Sequence, residues 1–255
     1  MRPKSVDDFR LLIDLHNEGP RQGPGGDVET RLAVELSGLR GVANLRIADI
    51  GCGTGASTLA LARELDAHIT AIDFLPEFLA KLDERARRAG LAHLITTLPV
   101  SMDALPFAEG ELDAIWSEGA IYNVGFEAGI RAWRKYLKPD GILAVSELTW
   151  LTDQRPEELQ AHWEKEYPEV DTASGKMAVL ERLGFSPVGY FQLPEYCWLD
   201  NYYQPMRRRF SDFLDRHESS EDAQAIVSAE EKEMALYERY KAFISYGYYV
   251  ARKAP

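Results

Sequence analysis

The amino-acid sequence predicts an α/β fold in which a doubly wound, mostly parallel sheet of seven strands carries helices on both faces. Two observations support this prediction. Short apolar segments alternate with helical patterns of about 10 to 15 residues, and a glycine-rich turn follows the first apolar segment of this series. A chain of 255 residues is also long enough to bury a substantial apolar core.

Residues 1–44 precede the alternation, and we predict that they form a helical lid. Residues 5–17 have helical periodicity, and the loop at 19–26, with four glycines and two prolines, cannot be helical. A second helix is expected at Val28–Leu36, with Asp27 as its N-cap. The glycine-rich loop either folds over a ligand or serves as a linker.

Residues 45–255 are predicted to form the main domain, which begins with five strands and three helices in alternation. The strands are expected at Arg46–Ile50, His68–Ile72, Leu94–Thr97, Leu112–Ser117 and Gly141–Ser146, and the helices at Ala56–Leu65, Pro76–Ala89 and Ala128–Leu137. Because each helix returns the chain to the same edge of the sheet, these strands are expected to be parallel.

The pattern changes after Trp150. Two further helices are expected before two strands at Pro187–Leu193 and Ser245–Arg252. A helical pattern fills residues 194–243 between these strands, which is far longer than a hairpin loop of about two to five residues. We therefore predict that residues 194–243 are a helical insertion in the main domain.

The glycine-rich turn at residues 51–55 (G-C-G-T-G) is the most informative segment, and Asp49 lies two places before it. Its glycines allow a sharp bend and a close approach of a ligand, and the following helix offers unpaired amides and partial positive charge. The spacing is one residue tighter than the G-x-G-x-x-G of dinucleotide-binding proteins. We therefore expect Asp49, Gly51, Cys52 and Gly53 to take part in binding a nucleotide-type cofactor.

These residues resemble the cofactor-binding motif of class I S-adenosylmethionine-dependent methyltransferases, which has an acidic residue two places before G-x-G-x-G. The resemblance is good over residues 45–147 and looser elsewhere, and it is closest to the small-molecule branch that includes quinone-biosynthesis-type enzymes (methyltransferase type 11). It implies a Rossmann-like methyltransferase fold whose last strand is antiparallel. It also implies S-adenosyl-L-methionine as cofactor and a small molecule as methyl acceptor.

Asp73 is predicted to bind the ribose of this cofactor, since it ends the second strand about 20 residues after the first glycine. A carboxylate there can accept hydrogen bonds from both ribose hydroxyls, and such charge-assisted bonds are stronger than neutral ones. The alternative is that Asp73 caps the helix that begins near Pro76. Phe74 is expected to pack on the adenine side.

Residues 101–107 (S-M-D-A-L-P-F) follow the third strand, where the family often has an acidic residue that binds the adenine amino group. The alignment leaves either Ser101 or Asp103 for this contact, and the backbone amide of Met102 for a ring nitrogen. The alternative is that Met102 fills the core and Asp103 belongs to a turn.

Glu118 and Tyr122 follow the fourth strand, and ligands of open α/β sheets bind beyond the carboxyl ends of the strands. Glu118 is expected to contact the cofactor, and its alternative role is a solvent-facing helix start. Methyl transfer depends mainly on holding a nucleophile at about 3 to 3.5 Å, so no catalytic residue is assigned. Glu118, Tyr122 and His16 are the possible bases.

An acceptor pocket is predicted from aromatic residues at the strand ends and in the insertion, namely Tyr122, Trp150, Trp198, Tyr202 and Tyr203. Aromatic faces can hold flat rings or a cationic amine. A role in the core is an equal alternative for these residues. The sequence does not specify the acceptor, or whether its O, N or C atom is methylated.

The formal net charge of −12, from 41 acidic and 29 basic residues, argues against a nucleic acid as partner. The two cysteines form neither a disulfide framework nor a zinc pattern, so we expect no metal and a cytoplasmic location. No apolar run reaches about 18 residues, so neither a membrane span nor a signal peptide is expected.

Two other functions are compatible with the motifs. A nicotinamide-dependent oxidoreductase is possible because Ala56 is a permitted variant of the third dinucleotide glycine, although the L-P-F and K-P-D-G turns favour a methyltransferase. The second alternative is a non-catalytic module that binds the cofactor.

Overall fold

Eight strands form one sheet in the computed structural model, which describes residues 6–254 and the side chains of residues 9–254. The strands are β1 (Leu45–Ile50), β2 (Ala67–Asp73), β3 (Ile95–Pro99), β4 (Leu112–Glu118), β5 (Leu137–Trp150), β6 (Asp171–Thr172), β7 (Phe185–Gln192) and β8 (Ile244–Lys253). Their order is β3-β2-β1-β4-β5-β8-β7, and β6 pairs with the end of β5. β1 to β5 are parallel, and β8 is antiparallel to both β5 and β7.

The predicted doubly wound, mostly parallel sheet with an antiparallel last strand is therefore confirmed, but the number of strands differs from the predicted seven. The additional strand is β6, whose two residues pair with Thr149 and Trp150. A segment this short has no alternation of apolar and polar residues by which a sequence pattern could reveal it. β5 is also longer than expected, because β8 pairs with it from Ile142 to Trp150.

Helices cover both faces of the sheet. They are α1 (Val6–Asn17), α2 (Asp27–Ser37), α3 (Ala56–Glu64), α4 (Pro76–Arg88), α5 (Phe126–Trp133), α6 (Glu157–Glu166), α7 (Ala173–Arg182), α8 (Glu195–Trp198), α9 (Gln204–Arg207), α10 (Phe210–Arg216) and α11 (Glu221–Tyr240). A π-helical turn, Leu199–Tyr203, joins α8 to α9.

The predicted N-cap of α2 is wrong. Gly26 occupies the cap position in extended conformation, and Asp27 is the first helical residue. The Asp27 carboxylate forms an ion pair with Arg21 at 3.0 Å, which draws it away from the helix amides.

The core consists of two apolar layers, one on each face of the sheet. Neighbouring residues of β4 show the division, since Trp116 belongs to the layer beneath α3 and α8–α11, and Ile115 to the layer beneath α5 and α7. The side chains of both residues are fully buried.

Polar contacts join the segment before β1 to the helices between β7 and β8. Asn201 Nδ2 donates to the Gly25 carbonyl at 2.7 Å, and Arg209 Nε donates to the Leu15 carbonyl at 3.2 Å. The Asp14 carboxylate of α1 binds Arg216 of α10 at 2.7 Å. Two segments that are far apart in sequence therefore pack together as one layer.

Candidate functional site

A large cavity lies at the carboxyl ends of the parallel strands. Its volume is about 1310 Å³, which exceeds the range of about 300 to 1,000 Å³ that is usual for one small ligand. The glycine turn and the ends of β2 and β4 form one end, α6 and α11 contribute side chains to the other, and α1 borders both. This cavity has room for two ligands side by side.

The structure brings most of the predicted site residues together on its walls. The residues that line it are Gly51, Cys52, Gly53, Asp73, Phe74, Ser101, Met102, Asp103, Glu118, Tyr122, Trp198 and Tyr202. Asp49, Trp150 and Tyr203 do not line it.

The turn requires glycine at its first and last positions. Gly51 has φ of 73° and Gly55 has φ of 87°, both in the left-handed region that side chains disfavour. A Cβ atom on Gly51 would overlap that of Ala120, and one on Gly55 would overlap the side chain of Leu82. The tight packing around these two positions therefore admits only glycine, and the turn lines the cavity at Gly51, Cys52 and Gly53.

Asp49 lies behind this turn and does not line the cavity, and its cofactor contact stays a prediction. Its Oδ2 atom accepts hydrogen bonds from Ser57 Oγ at 2.8 Å and Thr58 Oγ1 at 2.6 Å, in the first turn of α3. Complete burial raises the pKa of Asp49 to about 7, although both hydroxyl groups oppose the shift. Asp49 therefore fixes α3 to β1 and supports the turn from beneath.

Asp73 lies beside the turn at the end of β2. Its Oδ2 atom accepts from the Gly53 amide and its Oδ1 atom from the Leu75 amide, both at 3.0 Å. Burial raises the pKa of Asp73, and the backbone amides oppose the shift. Leu75 is the N-cap residue of α4, and no side chain caps that helix, so the alternative in which Asp73 is the cap is wrong. The contact of Asp73 with ribose stays a prediction.

Phe74 and the segment after β3 border the same end of the cavity. Phe74 stacks on Phe9 of α1 with 5.7 Å between ring centroids, a partner that the sequence did not indicate. The Met102 carbonyl accepts a hydrogen bond from Trp133 Nε1 at 2.9 Å, which holds the segment in place. Ser101 and Asp103 are both exposed, so both stay candidates for the adenine contact.

Glu118 is the centre of a buried polar network at the end of β4. Its Oε1 atom accepts from Thr30 Oγ1 at 2.6 Å, Tyr248 OH at 2.9 Å and Trp116 Nε1 at 3.2 Å. Its Oε2 atom forms an ion pair with Arg21 at 3.2 Å. Burial by itself lowers the pKa of Arg21, but the carboxylates of Glu118 and Asp27 together outweigh burial, so the pKa lies above its usual value. Arg21 therefore stays charged beside the cavity.

Two more contacts hold this end of the cavity in place. Gln22 Oε1 accepts a hydrogen bond from the Thr54 amide at 2.8 Å, so the glycine-rich loop at 19–26 rests against the turn. Ser146 Oγ of β5 accepts from the Gly119 amide at 2.9 Å and fixes the chain as it leaves β4.

The predicted acceptor residues divide between the cavity and the core. Tyr122, Trp198 and Tyr202 line the cavity. Trp150 is buried on β5, where the Arg155 guanidinium lies 4.3 Å from the centre of its ring, and Tyr203 is 1% exposed between Trp198 and Tyr237. The structure therefore assigns Trp150 and Tyr203 to the core.

The cavity also contains acidic and aromatic residues that the sequence analysis missed, namely Glu147, Tyr167, Glu230, Glu233 and Tyr246. Glu147 is 1% exposed within the otherwise apolar end of β5, and a charged residue in such a strand was the one signal that could have revealed it. His16, a possible base, also lines the cavity, and burial together with the charge of Arg209 lowers its pKa to about 4. Its imidazole is therefore neutral at pH 7.

Neither a metal-binding cluster nor a membrane-spanning helix is found in the described part of the chain. Among residues 9–254, no group of three or more His, Cys, Asp or Glu side chains has an arrangement that could hold a metal ion. Within residues 6–254, no helix combines the length and apolar character needed to cross a lipid bilayer.

The chain is similar to known methyltransferases in sequence. Residues 47–141 match the model of a family described as a methyltransferase domain. A malonyl-[acyl-carrier protein] O-methyltransferase of Dechloromonas aromatica is 28% identical over 142 residues, which are 54% of this chain and 50% of that protein. A glycine/sarcosine/dimethylglycine N-methyltransferase of Actinopolyspora halophila is 28% identical over 133 residues, 50% of this chain and 23% of that protein. The chain thus spans half the length of the first relative and less of the second.

The fold is shared with solved structures. A methyltransferase from Geobacter sulfurreducens in complex with S-adenosyl-L-homocysteine has a TM-score of 0.78 at 19% identity, and the match covers 98% of this chain and 99% of that one. The matched family description does not divide the class further, so the quinone-biosynthesis-type branch stays a prediction. Residues 47–141 thus match a methyltransferase domain family, and together with the relatives and the shared fold this supports a class I S-adenosylmethionine-dependent methyltransferase domain in this chain.

Proposed function

We propose that this protein transfers the methyl group of S-adenosyl-L-methionine to a small-molecule acceptor that binds in the same cavity. The observation that carries the proposal is one cavity of about 1310 Å³ with the glycine turn and Asp73 at one end and aromatic residues at the other. The two relatives named above are methyltransferases of different acceptors, so they support the reaction class and do not identify this acceptor.

The residues at the turn fit an adenosyl cofactor. Gly51 and Gly53 border the cavity without side chains of their own, and we propose that two ribose hydroxyls donate to the Asp73 carboxylate beside them. Phe74 and the Met102 amide are proposed to bind the adenine, together with Ser101 or Asp103. Because the segment around Met102 is fixed by Trp133, its amide is oriented before a ligand arrives.

The amino-acid end of the cofactor carries one positive and one negative group, and the Arg21–Glu118 pair beside the cavity offers both opposite charges. We propose that Arg21 faces the carboxylate and Glu118 the ammonium group. When bound, the sulfonium supplies an activated methyl group, so the protein has to orient the acceptor and exclude water. The helices from residues 1–44 and from the insertion at 194–243 are proposed to do this as a lid.

Calorimetric titration of the purified protein with S-adenosylmethionine, S-adenosylhomocysteine and NADH tests the proposal. We expect binding of the first two ligands and none of NADH. Binding of NADH without the other two would contradict the proposal in favour of an oxidoreductase. Tight binding of both sulfur ligands without methyl transfer to any acceptor in a broad screen would instead support a non-catalytic module.

Asp73→Ala is expected to weaken S-adenosylhomocysteine binding by about 10- to 100-fold, the usual effect of losing hydrogen bonds to a charged group. Asp73→Asn keeps the shape of the side chain without its charge, and we expect its affinity for S-adenosylhomocysteine to lie between those of the wild type and Asp73→Ala. Asp66→Ala, an exposed aspartate just before β2, is the matched control and should bind normally. An unchanged affinity in Asp73→Ala would remove Asp73 from the site.

The proposal includes three predictions from the sequence that concern the whole protein. They are a cytoplasmic location, the absence of a nucleic-acid partner and the absence of a resident metal.

A further inference from the structure

The end of the cavity away from the glycine turn is acidic. The sheet order places β5 and β8 on the far side of β4 from β1, and Glu147 on β5 lies next to Ser146, the pairing partner of Glu118. Glu158 of α6 also lines this end but is paired with Arg239 at 3.0 Å. Glu230 and Glu233 of α11 line it as well, and Glu230 is 7% exposed.

Glu147 has an unsatisfied oxygen atom in this region. Its Oε1 atom accepts from the Leu148 amide at 2.8 Å, whereas its Oε2 atom is buried without a hydrogen-bond partner among residues 9–254. The hydroxyl group of Tyr167, which also lines the cavity, lies close enough to lower the pKa of Glu147, but the two groups do not form a hydrogen bond with each other. A buried carboxylate oxygen without a donor is costly, which indicates a place for a donor from a ligand.

The nearby cation does not provide that donor. Lys176 Nζ donates to the Glu169 carbonyl at 2.8 Å and lies 4.4 Å from the centre of the Phe126 ring. Burial raises the pKa of Glu147 to about 7, against the opposing charge of Lys176. The titratable groups that interact with Glu147 are Lys176 of α7, Tyr167 and Glu169 after α6, Tyr122 after β4, and Tyr246 and Tyr249 of β8.

Aromatic side chains complete the surroundings. Tyr122 and Tyr167 meet edge to face with 6.1 Å between ring centroids, and Tyr202 and Tyr246 line the same cavity. Ring faces attract cations, and the glutamates that line this end outnumber its basic residues, Lys232 and Arg239. An acceptor with a carboxylate or phosphate group is therefore disfavoured here relative to a cation.

We propose that the methyl acceptor is a primary or secondary amine, which binds by donating an N–H hydrogen bond to Glu147 Oε2. This inference rests on the proposed function and specifies its substrate class. An amine that enters as an ammonium ion gives one proton to Glu147 and so gains a lone pair. The nitrogen then forms the new N–C bond, the C–S bond breaks with its electron pair left on sulfur, and the methylated ammonium product leaves. Glu147 returns its proton to solvent.

The test compares ligands that share a skeleton but differ in charge. Benzylamine, phenethylamine and hexylamine, with the alcohol and carboxylate of each skeleton, are titrated calorimetrically into protein saturated with S-adenosylhomocysteine. We expect at least one amine to bind about tenfold or more tightly than its alcohol and carboxylate, because ion pairing adds to cation–π attraction. The inference is overturned if no amine exceeds its neutral and anionic partners.

Glu147→Gln tests the residue itself. We expect amine affinity to fall about tenfold or more, as for a lost charge-assisted hydrogen bond, with unchanged binding of S-adenosylhomocysteine. Glu181→Gln, an exposed glutamate of α7, is the matched control. Equal amine affinities in the Glu147 variant and the wild type would overturn the assignment.

The pH dependence of amine binding gives a further readout. Amines stay protonated between pH 6 and 8, so their affinity should rise through about pH 7 as Glu147 ionises. Burial and the charge of Glu233 raise the pKa of Glu230 at the same end to about 7 as well, so the share of the rise due to Glu147 is the part that Glu147→Gln removes. A flat profile in the wild type would contradict the role of Glu147. If S-adenosylhomocysteine fails to bind at all, the proposed function fails; if it binds and the amines do not, this inference alone fails.

Discussion

The two ends of the cavity are built in different ways. The end at the glycine turn, which we propose binds the cofactor and call the cofactor end, consists of the ends of neighbouring strands and the turns that follow them. The other end, which we propose binds the acceptor and call the acceptor end, combines α6 and α11, and α1 borders both ends. These helices come together through long-range packing and polar contacts such as Asp14 with Arg216. The comparison teaches that one end is a property of a local motif, and the other of the whole fold.

The largest effect is expected from Tyr203→Ala in the core of the insertion. The centre of the Tyr203 ring lies 5.9 Å from that of Trp198 and 5.7 Å from that of Tyr237. Removal of this buried ring should lower the free energy of unfolding, measured in urea, by about 3–5 kcal/mol. Where the variant stays folded, its affinity for S-adenosylhomocysteine should stay within about threefold, since distant sites act independently.

Tyr203→Phe is the control, because the hydroxyl bond to Glu233 is long at 3.5 Å and its loss should cost less than about 1 kcal/mol. A large loss of cofactor affinity in Tyr203→Ala would mean that the two ends are not independent.

Gly51→Ala should damage the cofactor end. The left-handed φ of 73° and the overlap with Ala120 together should lower the free energy of unfolding by about 2–4 kcal/mol. Gly90→Ala separates the two causes, because Gly90 has φ of 72° but no atom of the described residues lies within 4 Å of the place that an added Cβ atom would take. In urea unfolding, Gly90→Ala should lose less stability than Gly51→Ala. In titration, it should bind S-adenosylhomocysteine normally. Equal losses would show that crowding at Ala120 is unimportant.

Asp14→Asn should have the smallest effect, on the contact between α1 and α10. Burial raises the pKa of Asp14, but hydrogen bonds and positive charge from Arg216 and His217 outweigh it and hold the pKa below its usual range. Such a partly exposed network is worth about 1 kcal/mol or less. Because the pKa is lowered in the folded state, the wild type should be more stable than the variant at pH 7.

This advantage should disappear as the pH falls below about 4, through the lowered pKa of Asp14. Urea unfolding of both proteins from pH 3 to 7 measures it, with Asp66→Asn as the surface control. A difference that persists at low pH would assign the effect to packing.

Local signals predicted the fold and the position of the glycine turn well. The alternation of strands and helices and the glycine spacing depend on residues that are close in sequence, so the parallel strands and the turn at 51–55 were predicted near their observed places. These local signals do not indicate how deeply a side chain is buried. Asp49 fits the motif, but only the packing of α3 on β1 shows that its carboxylate lies behind the turn.

The acceptor end was predicted less well because aromatic residues give the same sequence signal in a core and in a pocket. Tyr202 and Tyr203 are adjacent, yet Tyr202 lines the cavity and Tyr203 is buried, since the π-helical turn directs them differently. Glu147 was missed because its surroundings come from β8, α7 and the segment after α6, and no local pattern specifies that combination.

Strand β5 has a consequence for how such an enzyme can change. Ser146 anchors the chain beside the cofactor end, and the next residue along the backbone, Glu147, belongs to the acceptor end. The relative position of the two proposed binding regions thereby depends on β5 itself, whereas helices α6 and α11 shape the end proposed for the acceptor. We therefore expect substitutions in these helices to change acceptor preference with little effect on the alignment that methyl transfer requires.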